Sequence, residues 1–281
     1  MKLIRFGPKG QEKPGVYIDG TRYDCSWHFE DWNREFFIND GLNKLKEILQ
    51  GGKDKLPEVA EEVRWGSCVA RPNMIMCIGL NYSDHAAESG LEVPKEPILF
   101  LKATNTISGP YDKINIPRKS QKTDWEVELA FVLQKDVLYL ESEADAQSAI
   151  GGYCIMNDIS EREFQIERGG QWVKGKSCPD FSPVGPWMTT PDEIGAIDGM
   201  SMKLWLNDKI VQQGNTNTMI FKPAYLVYYI SQFMQLEAGD IITTGTPPGV
   251  GLGMKPPRYI TSGDVVRLSI EHLGHQQQHF V

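Results

Sequence analysis

Short apolar, strand-like runs punctuated by turn residues dominate this chain, and a helical period surfaces only in short stretches. Near the start, "KLIRF" and "GVYIDGTRYDCS" predict short strands, the second folded into a hairpin at Asp19-Gly20. "DGLNKLKEILQGG" then switches to helical spacing. Leu42, Leu45, Ile48 and Leu49 share one face, Asp40 is placed to cap the helix and Gly51 to end it. These elements make residues 1–70 a small N-terminal β-rich domain, linked through "EEVRWGSCVARPN" to residues 71–281.

From Met74 onward strand patterns dominate: "MIMCIGL", "PILFLK", "EVELAFVLQ", "GGYCIMND", "MKLWLND", "DIITTG" and "DVVRLSIEHL". Three helices interrupt them. One starts at Ser142, with Asp145 three residues on. A second starts at Ser160, with Glu163 completing a capping box. A third, "PAYLVYYISQFM", carries Leu226, Ile230 and Phe233 on one side. Strands and helices do not alternate regularly, which disfavours a doubly wound parallel sheet. The expected class is α+β, mainly β, with mixed or antiparallel pairing and helices at the edges.

Within this pattern "TDWEVELAF" is unusual. Glu126 and Glu128 lie two apart, so on one face of a strand whose continuation is apolar on both faces. Two ionised carboxylates entering an interior repel each other and lose hydration. A divalent cation would relieve both problems. For the pair alone, a strand end whose polar face still meets water is the ordinary explanation. A third carboxylate, Asp158, follows the strand "GGYCIMN", and an all-oxygen set of this kind suits Mg²⁺, Mn²⁺ or Ca²⁺ better than zinc. Arg162 and Gln165, three apart, share a helix face. In "GLNYSDHAAESG", Asp84 can cap a short helix with His85 and Glu88 at i and i+3. Such a pair suits a general base, and equally a surface ion pair. Lys174 and Lys176 in "WVKGKS" and Thr246 in the loop "TTGTPPGVGLG" complete the candidates. That loop lacks the GxGxxG spacing of a dinucleotide fingerprint. His272, His275 and His279 span an expected surface hairpin at Leu273-Gly274.

Composition narrows the partners. The chain has 281 residues, 41% hydrophobic and 23% charged, with a net charge of −8. This is the profile of a soluble globular protein, and its acidity argues against nucleic acid or an anionic membrane as the main partner. Five widely spaced cysteines with no CxxC pair point to free thiols and a reducing, cytoplasmic setting. No apolar run reaches the ~20 residues of a membrane span, and the N-terminus does not read as a signal peptide.

The ordered blocks "IGLNYSDHAAESG", "PILFLKATN", "DWEVELAFVL", "GYCIMNDISEREFQ", "GKSCPDFSPVGPW", "GNTNTMIF", "GDIITTGTPPGVG" and "GDVVRLSIEHLG" resemble the fumarylacetoacetate hydrolase family, from about Met74 to the end. The resemblance implies a mixed β-roll catalytic domain and a homodimer. It implies a divalent metal, Mg²⁺ or Mn²⁺, on Glu126, Glu128 and Asp158. It further implies Lys176 as an active-site lysine, Arg162, Gln165 and Thr246 as substrate contacts, and His85 and Glu88 as a dyad on a mobile lid. "RKSQKTDWEVEL", "ERGGQW" and "GTPPGVGLGMKPP" look closest to the branch acting on acylpyruvates and 2,4-diketo-3-deoxy-L-rhamnonate or -fuconate. The expected reaction is hydrolysis of a carbon–carbon bond in a 2,4-dioxo acid with release of pyruvate. A decarboxylase, tautomerase or isomerase using the same enolate is the alternative, including ureidoglycolate lyase-like or hydroxymuconate isomerase-like activity. A non-catalytic binding relative is the third.

Overall fold

Three short strands open the chain, β1 (Lys2–Phe6), β2 (Lys13–Ile18) and β3 (Thr21–Asp24), in a computed structural model that describes residues 1–84 and 92–281. The β2–β3 turn falls where the sequence predicts, with Asp19 at φ 50° and Gly20 at φ 86°, a tight-hairpin geometry that favours Gly and tolerates Asp. Two helices follow, α1 (Arg34–Ile38) and α2 (Gly41–Gln50). In α2 Leu45 is fully buried, as its spacing requires. The start of α2 departs from expectation. Asp40 is left-handed, with φ 61°, and makes no side-chain cap. Its carboxylate instead accepts from the Asn43 side chain at 2.7 Å.

The strands that follow are β4 (Ile75–Gly79), β5 (Ile98–Lys102), β6 (Ile107–Ser108), β7 (Thr123–Asp124) and β8 (Val127–Leu133). Helix α3 (Glu143–Ala149) leads into β9 (Ile150–Asn157) and the two-residue β10 (Ser160–Glu161). Then come α4 (Val173–Lys176), β11 (Ser182–Thr189), α5 (Pro191–Ile194), β12 (Ser201–Leu206) and β13 (Lys209–Asn215). Helix α6 (Pro223–Ser231) and strands β14 (Ile241–Thr243), β15 (Val265–Ile270) and β16 (Gly274–His279) complete the chain. Ser142 caps α3 as expected, its hydroxyl accepting from the Asp145 amide at 3.2 Å. Ser160 does not cap a helix. It lies in β10, paired with Asp124 of β7, and its hydroxyl donates to the Asp158 carbonyl at 2.9 Å. The helical turn begins only at Glu163–Glu167, in a wider π-type coil. Leu226 and Ile230 of α6 are buried, whereas Phe233 lies past the helix end and is 61% exposed.

A large sheet runs in the order β3-β2-β1-β11-β9-β8-β14-β4-β5, and β6 adds to β11 to make ten strands. Its pairs are antiparallel except β14–β4 and β11–β6, which bears out a mixed, mainly antiparallel α+β architecture. A second sheet, β13-β12-β15-β16, stands apart in pairing. It packs Met202, Leu204, Val266 and Leu268 into one core with Leu129, Phe131 and Ile155. A second core lies under the other face of the large sheet. There Ala130, Val132 and Met156 meet Trp32, Phe36, Phe37 and Leu45. Strand β8 is therefore apolar on both faces, as its sequence indicates. The first residues join this same body: β1 pairs with β11 through Leu3 and Met188, and Leu3, Val16 and Cys68 share the second core with Val184 and Met188. All five cysteines are free and buried. No helix among the described residues is long and apolar enough to cross a membrane.

Candidate metal centre and pocket

The site grows from the β8–β9 ladder. Val127 pairs with Asn157 and Glu128 with Met156, so the start of one strand lies beside the end of the other. Asp158, just past β9, donates its amide to the Glu126 carbonyl at 3.0 Å. Glu126, Glu128 and Asp158 thereby come together, each offering an oxygen within 4.8 Å of the others. All three are buried. On the far side of β8, β14 pairs in register with Phe131 and Ala130. The loop after β14 then runs past Glu128, whose Oε2 accepts the Gly245 amide at 3.0 Å.

Cations reach the cluster from three other elements. Short helix α4 brings Lys176, whose Nζ donates to Glu126 Oε2 at 2.9 Å and Asp158 Oδ2 at 2.6 Å. Helix α4 can pack this close because it carries Gly175: a Cβ there would meet the Glu161 carbonyl oxygen at 2.2 Å. The β7–β10 pairing brings Arg162. Its Nε donates to Asp124 at 2.8 Å, one terminal nitrogen to Gln165 at 3.0 Å, and the other approaches Glu126 at 2.7 Å. The end of β5 brings Lys102, fully buried, which donates to Asp158 Oδ1 at 2.6 Å and to the Ile159 carbonyl at 3.0 Å.

The electrostatics follow from this wiring. Burial alone would raise the Glu126 carboxyl, but the Lys176 ammonium and the Arg162 guanidinium hold it well below the usual carboxylate range. Glu128 feels Lys176 only as a weaker, opposing influence. Burial, then the charges of Asp158 and Glu126, push its carboxyl well above the ordinary value. Burial opposes charge on Lys176, yet Asp158 and Glu126 raise its ammonium above the usual range. The connected network holds four carboxylates, Asp124, Glu126, Glu128 and Asp158, against three cations, Lys102, Arg162 and Lys176. With all four ionised, as a bound cation would favour, one negative charge is in excess, on a tight, all-oxygen donor set. That is the chemistry of a hard divalent cation site, so the residues present fit Mg²⁺ or Mn²⁺.

Beside the cluster lies a cavity of about 280 Å³. Glu126, Glu128, Arg162, Gln165, Lys176 and Thr246 line its polar end. The Thr246 hydroxyl donates to the Val127 carbonyl at 2.9 Å and accepts from Gln212 at 2.8 Å, which fixes the loop against β8. His85 and Glu88 lie outside the described residues. Three contributors escape a reading of the sequence. Lys102 looks like a solvated strand end, and Gln212 like an outer residue of a hairpin. Asp124 takes the Gly251 and Leu252 amides at 2.7 and 3.0 Å as well as Arg162, so it ties the loop after Pro247 to the guanidinium. Its signal was its place directly before Trp125 and Glu126.

Comparison with known proteins agrees with this geometry. Residues 74–281 match the family described as fumarylacetoacetate (FAA) hydrolase C-terminal. The chain belongs to the fumarylacetoacetate hydrolase family. A Burkholderia multivorans protein with the provisional name of hydrolase is 51% identical, covering 99% of this chain and 98% of its own length. A fumarylacetoacetate hydrolase from psychrophilic Exiguobacterium antarcticum is 33% identical with a TM-score of 0.86, covering 100% of this chain and 99% of that one. Maleylpyruvate hydrolase from Sphingobium sp. SYK-6, solved with manganese(II) and pyruvate, is 26% identical with a TM-score of 0.82 and the same coverage.

Proposed function

We propose that this chain is a divalent-metal-dependent hydrolase that cleaves a carbon–carbon bond in a 2,4-dioxo acid and releases pyruvate. The observation that carries the reading is the buried Glu126, Glu128 and Asp158 cluster with Lys176 wedged against two of its members. The manganese(II)- and pyruvate-bound maleylpyruvate hydrolase supports it by similarity. Glu126, Glu128 and Asp158 would hold Mg²⁺ or Mn²⁺, which supplies Lewis acidity toward a carboxylate and its neighbouring 2-oxo group. Water adds to the C4 carbonyl. The C3–C4 bond then breaks, and its electron pair passes to the C2 oxygen as pyruvate enolate, which takes a proton at C3. Lys176 provides positive charge for that developing anion, and its clamp between Glu126 and Asp158 holds it ready beforehand. Arg162, braced by Asp124 and Gln165, orients the oxo acid, with Gln165 and Thr246 beside it. His85 and Glu88 are assigned the activation of water. The reading includes a cytoplasmic homodimer.

Chelator-stripped protein should release no pyruvate from acylpyruvates and should recover with Mn²⁺ or Mg²⁺. Glu126→Gln and Asp158→Asn should stay folded and lose most of the rate. Full turnover by protein shown metal-free by elemental analysis would end this reading. Release of CO₂ from a β-keto acid far faster than any acylpyruvate cleavage would replace the hydrolase with a decarboxylase.

A further inference from the structure

Apart from its polar groups, the cavity is lined by apolar side chains, among them Leu80, Ile98, Phe100, Ile166, Trp172 and Leu252, with the Lys176 ammonium 5.0 Å from the centre of the Phe100 ring. Among the described residues, only Arg162 and Lys176 bring positive charge to its lining, and both are already committed at the acidic end. Beyond Ile98, Phe100 and Trp172, which both spaces share, lies an adjoining groove of about 590 Å³ that also touches Met76, Leu101, Met234 and the polar Gln171. Phe100 and Trp172 meet edge to face at 5.2 Å and give the two spaces a common apolar lining.

Charge count leads to the same place. Four carboxylates face three cations in the network. One divalent ion leaves a single positive charge, which one substrate carboxylate neutralises. Among the described residues no further cation lines the apolar side chains of either space, so a second carboxylate set against them would meet a large desolvation cost. Among the same residues, a polyhydroxylated chain would find few side-chain partners there beyond Gln171.

We propose that the acyl group of the substrate is uncharged and apolar, an alkyl chain or an aryl ring, and that longer chains extend past Trp172 into the adjoining groove. This rests on the pyruvate-releasing reading above and narrows it away from sugar-derived 2,4-diketo acids.

Mn²⁺-loaded protein is assayed for pyruvate release on three acylpyruvate series: alkyl chains from acetyl to hexanoyl plus benzoyl, chains of matched length ending in carboxylate, and hydroxylated chains. We expect kcat/KM to rise roughly threefold to fourfold per added methylene. A terminal carboxylate should cost at least about tenfold against the methyl of equal length. Carboxylated or hydroxylated chains that match or beat the apolar ones would overturn the proposal. Leu252→Lys places a cation on the wall at a part-exposed position, and should shift the ratio toward the carboxylated series. A ratio unmoved by that change would put the distal group elsewhere and equally overturn it. If no acid releases pyruvate, the functional reading has failed. Calorimetric titration of the same acids into the Mn²⁺-loaded protein then still ranks the distal groups: tighter binding of the apolar series is expected, and tighter binding of the charged one overturns the inference.

Discussion

Asp158 divides its two oxygens between two lysines. Oδ2 meets Lys176 and Oδ1 meets Lys102, with all three side chains essentially out of water. A lysine so placed is a structural commitment, because removing one partner of a buried ion pair leaves a charge uncompensated. Lys102→Met should therefore destabilise the metal-free protein by about 2 to 3 kcal/mol, at or below the usual range for a broken buried pair because Lys176 remains. Urea unfolding at neutral pH measures it. A change below about 0.5 kcal/mol would mean that Asp158 does not depend on Lys102. The sequence exposes one side of this arrangement and hides the other. Glu126, Glu128 and Asp158 are legible because carboxylates in or beside apolar strands are anomalous wherever they occur. Arg162, Gln165 and Thr246 follow from the family resemblance, and the structure brings all three to the same cavity. Lys102 gives no such signal. A lysine ending "PILFLK" looks solvated until the chain closes on a residue 56 positions away.

At the scale of elements, local patterns held at a turn and a cap, failed at the left-handed Asp40 before α2, and failed at Ser160, where strand pairing decides. The hairpin at Asp19-Gly20 and the Ser142 cap are short-range, and both formed. The Ser160 capping box is an equally good local pattern, yet Ser160 and Glu161 pair with β7, and the helical turn is displaced to Glu163. That displacement lets Arg162 meet Asp124. Helix α4 tests how tightly this corner is built. In Gly175→Ala the new methyl would press on the Glu161 carbonyl and on Gln165 Cβ at 2.6 Å. Backbone cannot yield there as a flexible side chain would, so α4 must lift and carry Lys176 with it. We expect a loss of about 1 to 3 kcal/mol in stability and at least about a tenfold fall in the metal-dependent rate, since a displacement of about 1 Å at a reacting group is this costly. A variant of parent activity would show that α4 is not held by that contact. Asp240, leading into β14, offers a pH test. Burial, with Glu237 and Asp136 adding to it, pushes its carboxyl up to about 6, although the Glu237 and Met74 amides pull the other way. Its folded value lies above its unfolded one, so protonation favours the folded state. The contribution is present at the acid end and is lost as pH rises through about 6. Asp240→Asn cannot ionise. Its urea midpoint should gain on the parent between pH 4 and 7, and a difference that stays constant with pH would remove Asp240 as the cause.

Across the whole molecule, the question is what the first 70 residues do. Their composition and turn signals read as a small β-rich domain, and sequence patterns cannot show which sheet a strand will join. Strand β1 lies directly against β11, which in turn pairs with β9, the strand that delivers Asp158. The second core is common property: Leu3, Val16, Trp32 and Leu45 pack with Ala130, Val132, Met156 and Val184. Glu126 and Glu128 share the strand face of Ala130 and Val132, so the side chains that back the metal cluster rest on those N-terminal residues. Removing residues 1–70 should bare the edge of β11 and strip the apolar cover from one face of β8 and β9. An unpaired edge beside a bare apolar face is a template for aggregation. A chain of residues 71–281 should therefore be insoluble or polydisperse by light scattering, should bind a hydrophobic dye, and should take up Mn²⁺ at least about tenfold more weakly than the full chain, because its ligands are no longer held. The competing outcome is sharp. A truncated chain that is monodisperse, with parent Mn²⁺ affinity and cooperative unfolding, would make residues 1–70 an independent domain that merely docks on a self-sufficient catalytic body.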